Sequence, residues 1–95
     1  RYPRTATTPE INITVTEENK MAIVRYLQEQ ADLGEGERRT IDGIRMDYPD
    51  GWGLCRASNT SPKLVTRYEA RDEQALARIR ERFENAIDEA IRAAG

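Results

Sequence analysis

Residues 42–70, "DGIRMDYPDGWGLCRASNTSPKLVTRYEA", decide the fold because turn-forming residues divide them into three strand-length segments. Asp42-Gly43 is a dipeptide preferred in tight hairpins, since both central positions of such turns need positive φ. The run "PDG" at residues 49–51 predicts a second turn, and the polar run "SNTSP" at residues 58–62 predicts a third. The remaining segments therefore predict consecutive antiparallel strands at residues 44–48, 52–56 and 63–70.

Two more strands and a linker are predicted upstream of this region. The run "INITVT", residues 11–16, alternates apolar and polar residues with the period of two that a strand with one buried face requires. Residues 38–41 form a short β candidate. Residues 1–10 carry Pro3 and Pro9, whose missing N–H donors suit an extended connector better than a central strand. We interpret residues 1–10 as a linker.

Helical spacing of apolar residues predicts two helices. The first is predicted over residues 17–32, with Thr16 as its cap and a break at Gly34, and its apolar residues are Met21, Val24, Leu27 and Ala31. The second begins after Asp72 and carries an apolar stripe of Leu76, Ile79, Phe83, Ala86, Ile87, Ala90 and Ile91. The resulting order is β-α-β-β-β-β-α. It predicts an α+β fold: a mostly antiparallel sheet of four to five strands with two helices packed on one face.

The composition is that of a small acidic domain. The 95 residues suffice for one core, and 15 basic against 17 acidic residues give a formal charge of −2. No general positive field is therefore available to attract nucleic acid or an anionic membrane, and no apolar run approaches the roughly 18 residues of a membrane span.

A single cysteine, Cys55, without any histidine excludes an internal disulfide and the common zinc sites, and favours the cytoplasm. Because the chain starts at Arg1, we expect it to be a piece of a longer protein.

The loop after residues 52–56 combines groups that bind oxyanions. Arg56 is a permanent cation whose planar fork of donors matches phosphate oxygens two at a time. Ser58, Asn59 and Thr60 add neutral donors, and the backbone N–H groups of a tight turn can hold an anion. The plainer interpretation is that "SNTSP" is only a favourable turn, because these residue types dominate turns. The residues alone leave both interpretations open.

Three segments of the chain resemble one enzyme family. The segment "TPEINITVTE" at residues 8–17, residues 42–70 and the arginine-rich closing helix are similar to the C-terminal domain of the α-D-phosphohexomutases, most closely the bacterial phosphomannomutase/phosphoglucomutase enzymes. The run "RASNT", followed by one residue and a proline, resembles the family's phosphate-binding loop. It is framed by "DGWG" before it and "RYEA" after it. The similarity extends over nearly the whole chain.

The resemblance implies the fourth and last domain of a mutase, with a fold similar to one half of the TATA-box-binding protein. Residues 1–10 would be the hinge to the preceding domain, and residues 11–95 the phosphate-binding domain. The substrate phosphate that is not transferred would be gripped by Arg56, Ser58, Asn59 and Thr60. Family enzymes interconvert the 1-phosphates and 6-phosphates of mannose or glucose through a bisphosphorylated sugar, with Mg²⁺ and a phosphoserine in the full-length enzyme.

The resemblance also implies that catalysis needs the other three domains of the same chain. No catalytic residue and no metal ligand are expected in this domain, so alone it would be an inactive fragment of an isomerase that acts by intramolecular phosphoryl transfer. Its partners would be the phosphosugar and those domains, and neither nucleic acid nor a membrane. The alternative function is a small α+β module for protein or nucleic-acid interaction without a catalytic role.

Three other residues near the loop have structural interpretations. Trp52 is interpreted as a core anchor, the alternative being that it flanks the ligand. Arg67 is interpreted as the partner of an acid on the sheet, the alternative being that it adds charge to the pocket. Cys55 is interpreted as a small buried hydrophobe, because no histidine is present to activate its thiol. No chemistry is assigned to Cys55.

Overall fold

The computed structural model describes residues 5–40 and 42–94 and consists of one antiparallel sheet with two helices on one face. The elements are β1 (Ala6–Thr7), β2 (Ile11–Thr14), α1 (Lys20–Glu29), β3 (Glu37–Arg39), β4 (Ile44–Tyr48), β5 (Gly51–Ala57), β6 (Lys63–Ala70) and α2 (Glu73–Ala94). The strand order is β1-β6-β5-β4-β3, and β2 also pairs with β6. The predicted α+β class is confirmed, with six strands in place of the expected four or five.

The additional strand, β1, lies within the segment interpreted as a linker. Ala6 and Thr7 pair with the last residues of β6. The Thr8 N–H donates to the Tyr68 carbonyl at 3.1 Å, and the Tyr68 N–H donates to the Thr8 hydroxyl at 3.2 Å. The extended segment is thus hydrogen-bonded to the sheet in its second half. Residues 1–4 lie outside the described residues, and the role of residues 1–10 as a hinge stays a prediction.

Helix α1 begins later and ends earlier than the predicted residues 17–32. Thr16, predicted as the cap, instead closes the turn before the helix with Asn19, which is the N-cap residue: the Asn19 N–H donates to the Thr16 hydroxyl at 3.1 Å, and the Thr16 N–H donates to Asn19 Oδ1 at 3.0 Å. The buried stripe starts at Lys20 and continues through Ile23, Val24 and Leu27. Met21 is predicted in this stripe but is 58% exposed, because the neighbouring residue Lys20 takes the buried position in the first turn of the helix.

Arg38 of β3 closes the carboxyl end of α1. Its guanidinium donates to the carbonyl oxygens of Leu27 at 2.9 Å, Gln28 at 3.1 Å and Ala31 at 2.7 Å. Carbonyls in the last turn of a helix lack intrahelical partners, and a cation there also interacts favourably with the helix dipole. Arg38 therefore joins the edge strand to the helix that covers the sheet.

The inner side of β5, which faces the helices, carries small residues, among them Gly51, Gly53 and Cys55. A Cβ on Gly53 would lie 2.8 Å from Phe83 Cε1 and 2.9 Å from Tyr68 Cδ1. Phe83 of α2 is fully buried, and its ring meets that of Tyr68 edge to face with centroids 5.4 Å apart. Phe83 therefore packs directly on the backbone of β5.

The opposite side of β5 belongs to the open face of the sheet, which neither helix covers. Trp52, Leu54 and Arg56 lie there because successive strand residues alternate between faces. Trp52 is half-buried, with the Arg45 guanidinium 4.5 Å from the centroid of its ring. The interpretation of Trp52 as a core anchor is therefore wrong, because α2 leaves room only for small residues on the inner side of β5.

The turn before β4 has the predicted backbone conformation. Asp42 has φ 56° and Gly43 has φ 114°, both in the left-handed region. The following strand, β4, spans the predicted residues Ile44–Tyr48. The turn dipeptide therefore predicted the positive φ values correctly, but the two-residue hairpin is wrong, because Arg39 stands opposite Arg45 and residues 40–44 connect the paired strands. The preceding strand spans Glu37–Arg39 in place of the predicted residues 38–41, of which residue 41 lies outside the described residues.

Replacing Gly53 with alanine is expected to destabilise the fold by about 1 to 3 kcal/mol, because the added methyl group overlaps the Phe83 and Tyr68 rings. At an uncrowded position the same change would stabilise the fold by restricting the unfolded chain. Urea unfolding followed by tryptophan fluorescence measures the difference. The matched control combines Gly53→Ala with Phe83→Leu, and this pair should lose less stability than the sum of the single variants. Strict additivity would contradict direct packing of Phe83 on β5.

Burial raises the pKa of the Cys55 thiol to about 12. Because the thiolate is the reactive form, the folded chain at about pH 8 should react with a thiol reagent such as DTNB no faster than it unfolds. The same chain in guanidinium chloride should react completely and promptly. Rapid labelling of the folded chain would show that Cys55 is accessible and would contradict the packing of β5 described here.

Candidate functional site

Arg56 lies near the end of β5, where the chain leaves the sheet for the loop of residues 58–62. In the sheet register it stands opposite Val65 of β6, and its side chain is exposed on the open face. No acid or other hydrogen-bonding group within residues 5–40 and 42–94 engages its guanidinium. Its fork of donors is therefore available to a ligand.

Two other arginines of the open face are occupied by Asp47. Arg39 Nε lies 3.0 Å from Asp47 Oδ2, and Arg45 Nη2 lies 3.0 Å from Asp47 Oδ1. Burial favours a higher pKa for Asp47, but Arg45 and Arg39 outweigh it and hold the pKa of this carboxyl below its ordinary value. Arg67 was expected to pair with an acid, but it forms no ion pair with any residue that the structure describes. Arg56 thus differs from its neighbour Arg45 in being unpaired.

The loop of residues 58–62 is tied by its backbone to both flanking segments. The Ser58 N–H donates to the Lys63 carbonyl at 2.9 Å, and the Lys63 N–H donates to the Ser61 carbonyl at 2.8 Å. The Val15 N–H, just beyond β2, donates to the Pro62 carbonyl at 2.8 Å. Within the loop, the Thr60 N–H reaches the Ser58 hydroxyl at 3.3 Å. These bonds make a closed turn with defined ends.

Lys20, the first residue of α1, supports the loop from the side of the helices. Its ammonium donates to the Ser58 carbonyl at 2.8 Å and to the Ser61 carbonyl at 3.2 Å. The Glu17 carboxylate lies 3.4 Å from the same nitrogen. Lys20 is only 8% exposed, and a charge buried to this extent is tolerated only when its donors are satisfied. Three oxygens around one ammonium match its three protons.

The Asp42-Gly43 turn supports the base of Arg56. A Cβ on Gly43 would lie 2.5 Å from the Cys55 carbonyl oxygen and 2.9 Å from Arg56 Cβ, so the absence of a side chain lets the turn rest on β5. From the other side, Gln28 of α1 donates to the Gly43 carbonyl at 2.8 Å. The turn is therefore held between α1 and the strand that carries Arg56.

The four residues predicted to bind phosphate lie close together in sequence, but two of them, Arg56 and Asn59, line different cavities. Ser58 is half-buried, whereas Asn59 and Thr60 are exposed. Arg56 lines a depression of about 230 Å³ on the open face, and Asn59 lines a cavity of about 240 Å³ beside α1. The four side chains thus present donors along one end of the sheet without enclosing a ligand by themselves.

A larger cavity, of about 490 Å³, lies at the other end of β5. Its walls carry three arginines, Arg71, Arg78 and Arg82, and three acids, Asp32, Glu35 and Asp50. Arg78 is paired with Asp50 and Arg71 with Asp72. Because acids balance the cations in and around this cavity, it is less suited to an anion than the end of the sheet where Arg56 lies.

Sequence reasoning missed the supporting residues Lys20, Gln28 and Gly43. A signal for Lys20 was available: it stands at the i, i+3, i+4, i+7 spacing with Ile23, Val24 and Leu27. A lysine on the buried side of a helix needs acceptors from elsewhere in the fold, which makes it a candidate for a structural or site role. Nothing in the sequence identified those acceptors as loop carbonyls.

Two features are absent from the described part of the chain, which has gaps at residues 1–4, 41 and 95. Its histidine, cysteine, aspartate and glutamate side chains form no group of three or more that could hold a metal ion. Neither of its helices combines the length and apolar character needed to cross a bilayer.

Known proteins provide an independent comparison. The profile of the family described as "Phosphoglucomutase/phosphomannomutase, C-terminal domain" matches residues 10–86. The chain is 56% identical over 86 residues to the phosphomannomutase/phosphoglucomutase of Pseudomonas aeruginosa, with 90% of this chain and 19% of that protein covered. It is 44% identical over 88 residues to the phosphoglucomutase of Neisseria gonorrhoeae, with the same coverage of each, 90% and 19%.

The structural comparison agrees with the sequence comparison. The crystal structure of a phosphoglucomutase/phosphomannomutase family protein from Burkholderia thailandensis superposes with a TM-score of 0.81 at 38% identity, covering 98% of this chain and 19% of that one. The chain thus spans about a fifth of the length of the relatives it matches. On these matches in sequence and fold, the chain belongs to the phosphoglucomutase/phosphomannomutase family and corresponds to its C-terminal domain.

Proposed function

We propose that this chain is the phosphate-anchoring domain of a mutase that interconverts hexose 1-phosphates and 6-phosphates through a bisphosphorylated sugar. The observation that carries the proposal is the state of Arg56, which is exposed, has no partner among the described residues and directly precedes a closed polar loop. An unpaired guanidinium beside hydroxyl and amide groups is a suitable receptor for a phosphate.

The anchor consists of Arg56, Ser58, Asn59 and Thr60. Arg56 supplies charge and a two-pronged contact, whereas the other three supply neutral hydrogen bonds. Such a set recognises the phosphate group and makes few demands on the sugar that carries it. This matters for a mutase because either end of the bisphosphate must be held in turn by the same donors.

Anchoring the remote phosphate accelerates transfer at the other end of the sugar. It fixes which hydroxyl faces the phosphoryl donor and thereby removes rotational freedom before the chemical step. Rotation of this domain toward the rest of the enzyme would complete the site and exclude water from the reacting phosphoryl group. The four donors lie at one end of the sheet and do not enclose a ligand alone, which fits a site completed by other domains.

The remaining catalytic parts belong to the other domains of the enzyme. Mg²⁺ would offset charge on the transferring phosphoryl group and a phosphoserine would donate it. The described side chains include no cluster suited to Mg²⁺, so no step here is assigned to the metal. The isolated chain would bind a phosphosugar weakly and would not isomerise it. The partners are the phosphosugar and the other three domains, and the compartment is the cytoplasm.

Titration of the isotope-labelled chain with mannose 1-phosphate or glucose 1-phosphate separates this function from that of an interaction module. We expect amide shift changes confined to residues 56–61, because the donors that face a phosphate lie there. Unphosphorylated mannose is the matched control and should leave these amides unchanged. If the phosphosugar at high millimolar concentration also leaves them unchanged, the interaction module becomes the better interpretation.

In the full-length enzyme, Arg56→Ala should lower kcat/KM by about 2 to 4 kcal/mol, roughly 30- to 1,000-fold, the loss typical of a charge-assisted contact. Steady-state kinetics with mannose 1-phosphate measure the effect. Arg80→Ala is the control, because Arg80 is exposed on α2 and, among the residues that the structure describes, pairs with Glu84 of the same helix alone. Unaltered kinetics of the Arg56 variant would refute the assignment of the anchor.

A further inference from the structure

We propose that Lys20 is the positioning residue of the phosphate loop, and this inference rests on the function proposed for that loop. Lys20 comes from α1, far from the loop in sequence, yet its ammonium binds the carbonyls of Ser58 and Ser61 across separations of 38 and 41 residues. Both contacts are to the backbone. Lys20 therefore acts on the shape of the loop whatever side chains the loop carries.

The orientation of the Ser58 carbonyl determines that of the next amide. The described residues contain no cis peptide bond, and in a trans peptide the C=O and the following N–H point in opposite directions. Because the Ser58 carbonyl points at Lys20, the Asn59 N–H points away from the helix side. No acceptor within the described residues engages that N–H. Lys20 thus turns a free backbone donor toward the outside of the loop, where an anion can approach.

The buried charge itself also favours this role. The ammonium lies on the helix side of the loop. An anion bound on the opposite side would be attracted by this positive charge without contacting it. Screening by solvent is weak for a residue that is 8% exposed. Glu17 pairs with the same ammonium, but 65% of its side chain is accessible to solvent. Solvent therefore screens the negative charge of Glu17, which offsets only part of the positive charge of Lys20.

The segment that leads into Lys20 is held by its own turn and by the loop. Thr16 and Asn19 bond each other reciprocally in the turn before α1, and the Val15 N–H donates to the Pro62 carbonyl of the loop. The segment from Val15 to Lys20 therefore holds the loop at Pro62 and again at Ser58 and Ser61. Loss of the ammonium would leave the attachment at Pro62 and release the Ser58 carbonyl, whose orientation sets that of the Asn59 N–H.

The test uses Lys20→Met, which keeps the aliphatic stem and removes the donors, in the full-length enzyme. KM for mannose 1-phosphate should rise about tenfold or more, with a smaller change in kcat, because binding through the loop is what weakens. Lys20→Arg should restore KM to within about threefold of the wild-type value, since the guanidinium of Arg38 bonds three backbone carbonyls in this same fold. Arg92→Met is the control for loss of an exposed cation and should leave KM unchanged.

A second readout needs no ligand. In the 95-residue chain, Lys20→Met should speed hydrogen exchange of the Ser58 and Lys63 amides, whose bonds close the loop, while leaving sheet amides such as that of Leu54 as protected as before. If Lys20→Met does not fold, Lys20→Gln replaces it, since it is neutral and keeps a donor. A neutral variant with wild-type KM and wild-type exchange would overturn the positioning role. That result would leave the anchor itself intact, because the anchor is tested separately by Arg56→Ala.

Discussion

The contact between Phe83 and the backbone of β5 at Gly53 is the constraint on which the rest of the structure depends. Because strand residues alternate between faces, the small residues that admit Phe83 on the inner side send Trp52, Leu54 and Arg56 to the open face. A register shift of one residue would drive Arg56 into the core beneath the helices. The packing of an aromatic ring on a glycine thus decides that Arg56, the cation of the proposed phosphate site, is exposed.

Helix α1 connects the packed core to the loop. Ile23 and Leu27 are fully buried and hold the helix against the sheet. From the same helix, Lys20 reaches the loop carbonyls and Gln28 reaches the Gly43 carbonyl beneath Arg56. A binding loop is ordinarily a mobile part of a fold, but this one rests on an element fixed by apolar contacts. The donors of the site are therefore prearranged before a ligand arrives, which reduces the entropy lost on binding.

The predictions that succeeded from sequence depended on local chemistry. The dipeptide Asp42-Gly43 specifies its own turn, and Asp72 caps α2 by accepting a bond from the Ala75 N–H at 2.8 Å. The predictions that failed depended on residues distant in sequence. Size predicts Trp52 in the core and helical spacing predicts Met21 there, but Phe83 packs on the inner side of β5, and the buried side of α1 includes Lys20 in place of Met21. The role of Lys20 could not be predicted, because its acceptors are backbone carbonyls that any loop sequence would carry.

Lys20 and Arg56 illustrate how two cations on the two sides of one loop serve different purposes. The buried ammonium of Lys20 donates to two loop carbonyls and pairs with Glu17, so it organises the backbone of the loop. The guanidinium of Arg56 is engaged by no described residue, so its donors remain for a ligand. If both were exposed and free, they would attract anions without defining where the phosphate sits. One cation is buried and the other is unpaired, so together they define a direction of approach for an anion, as the proposed binding of either end of a bisphosphate requires.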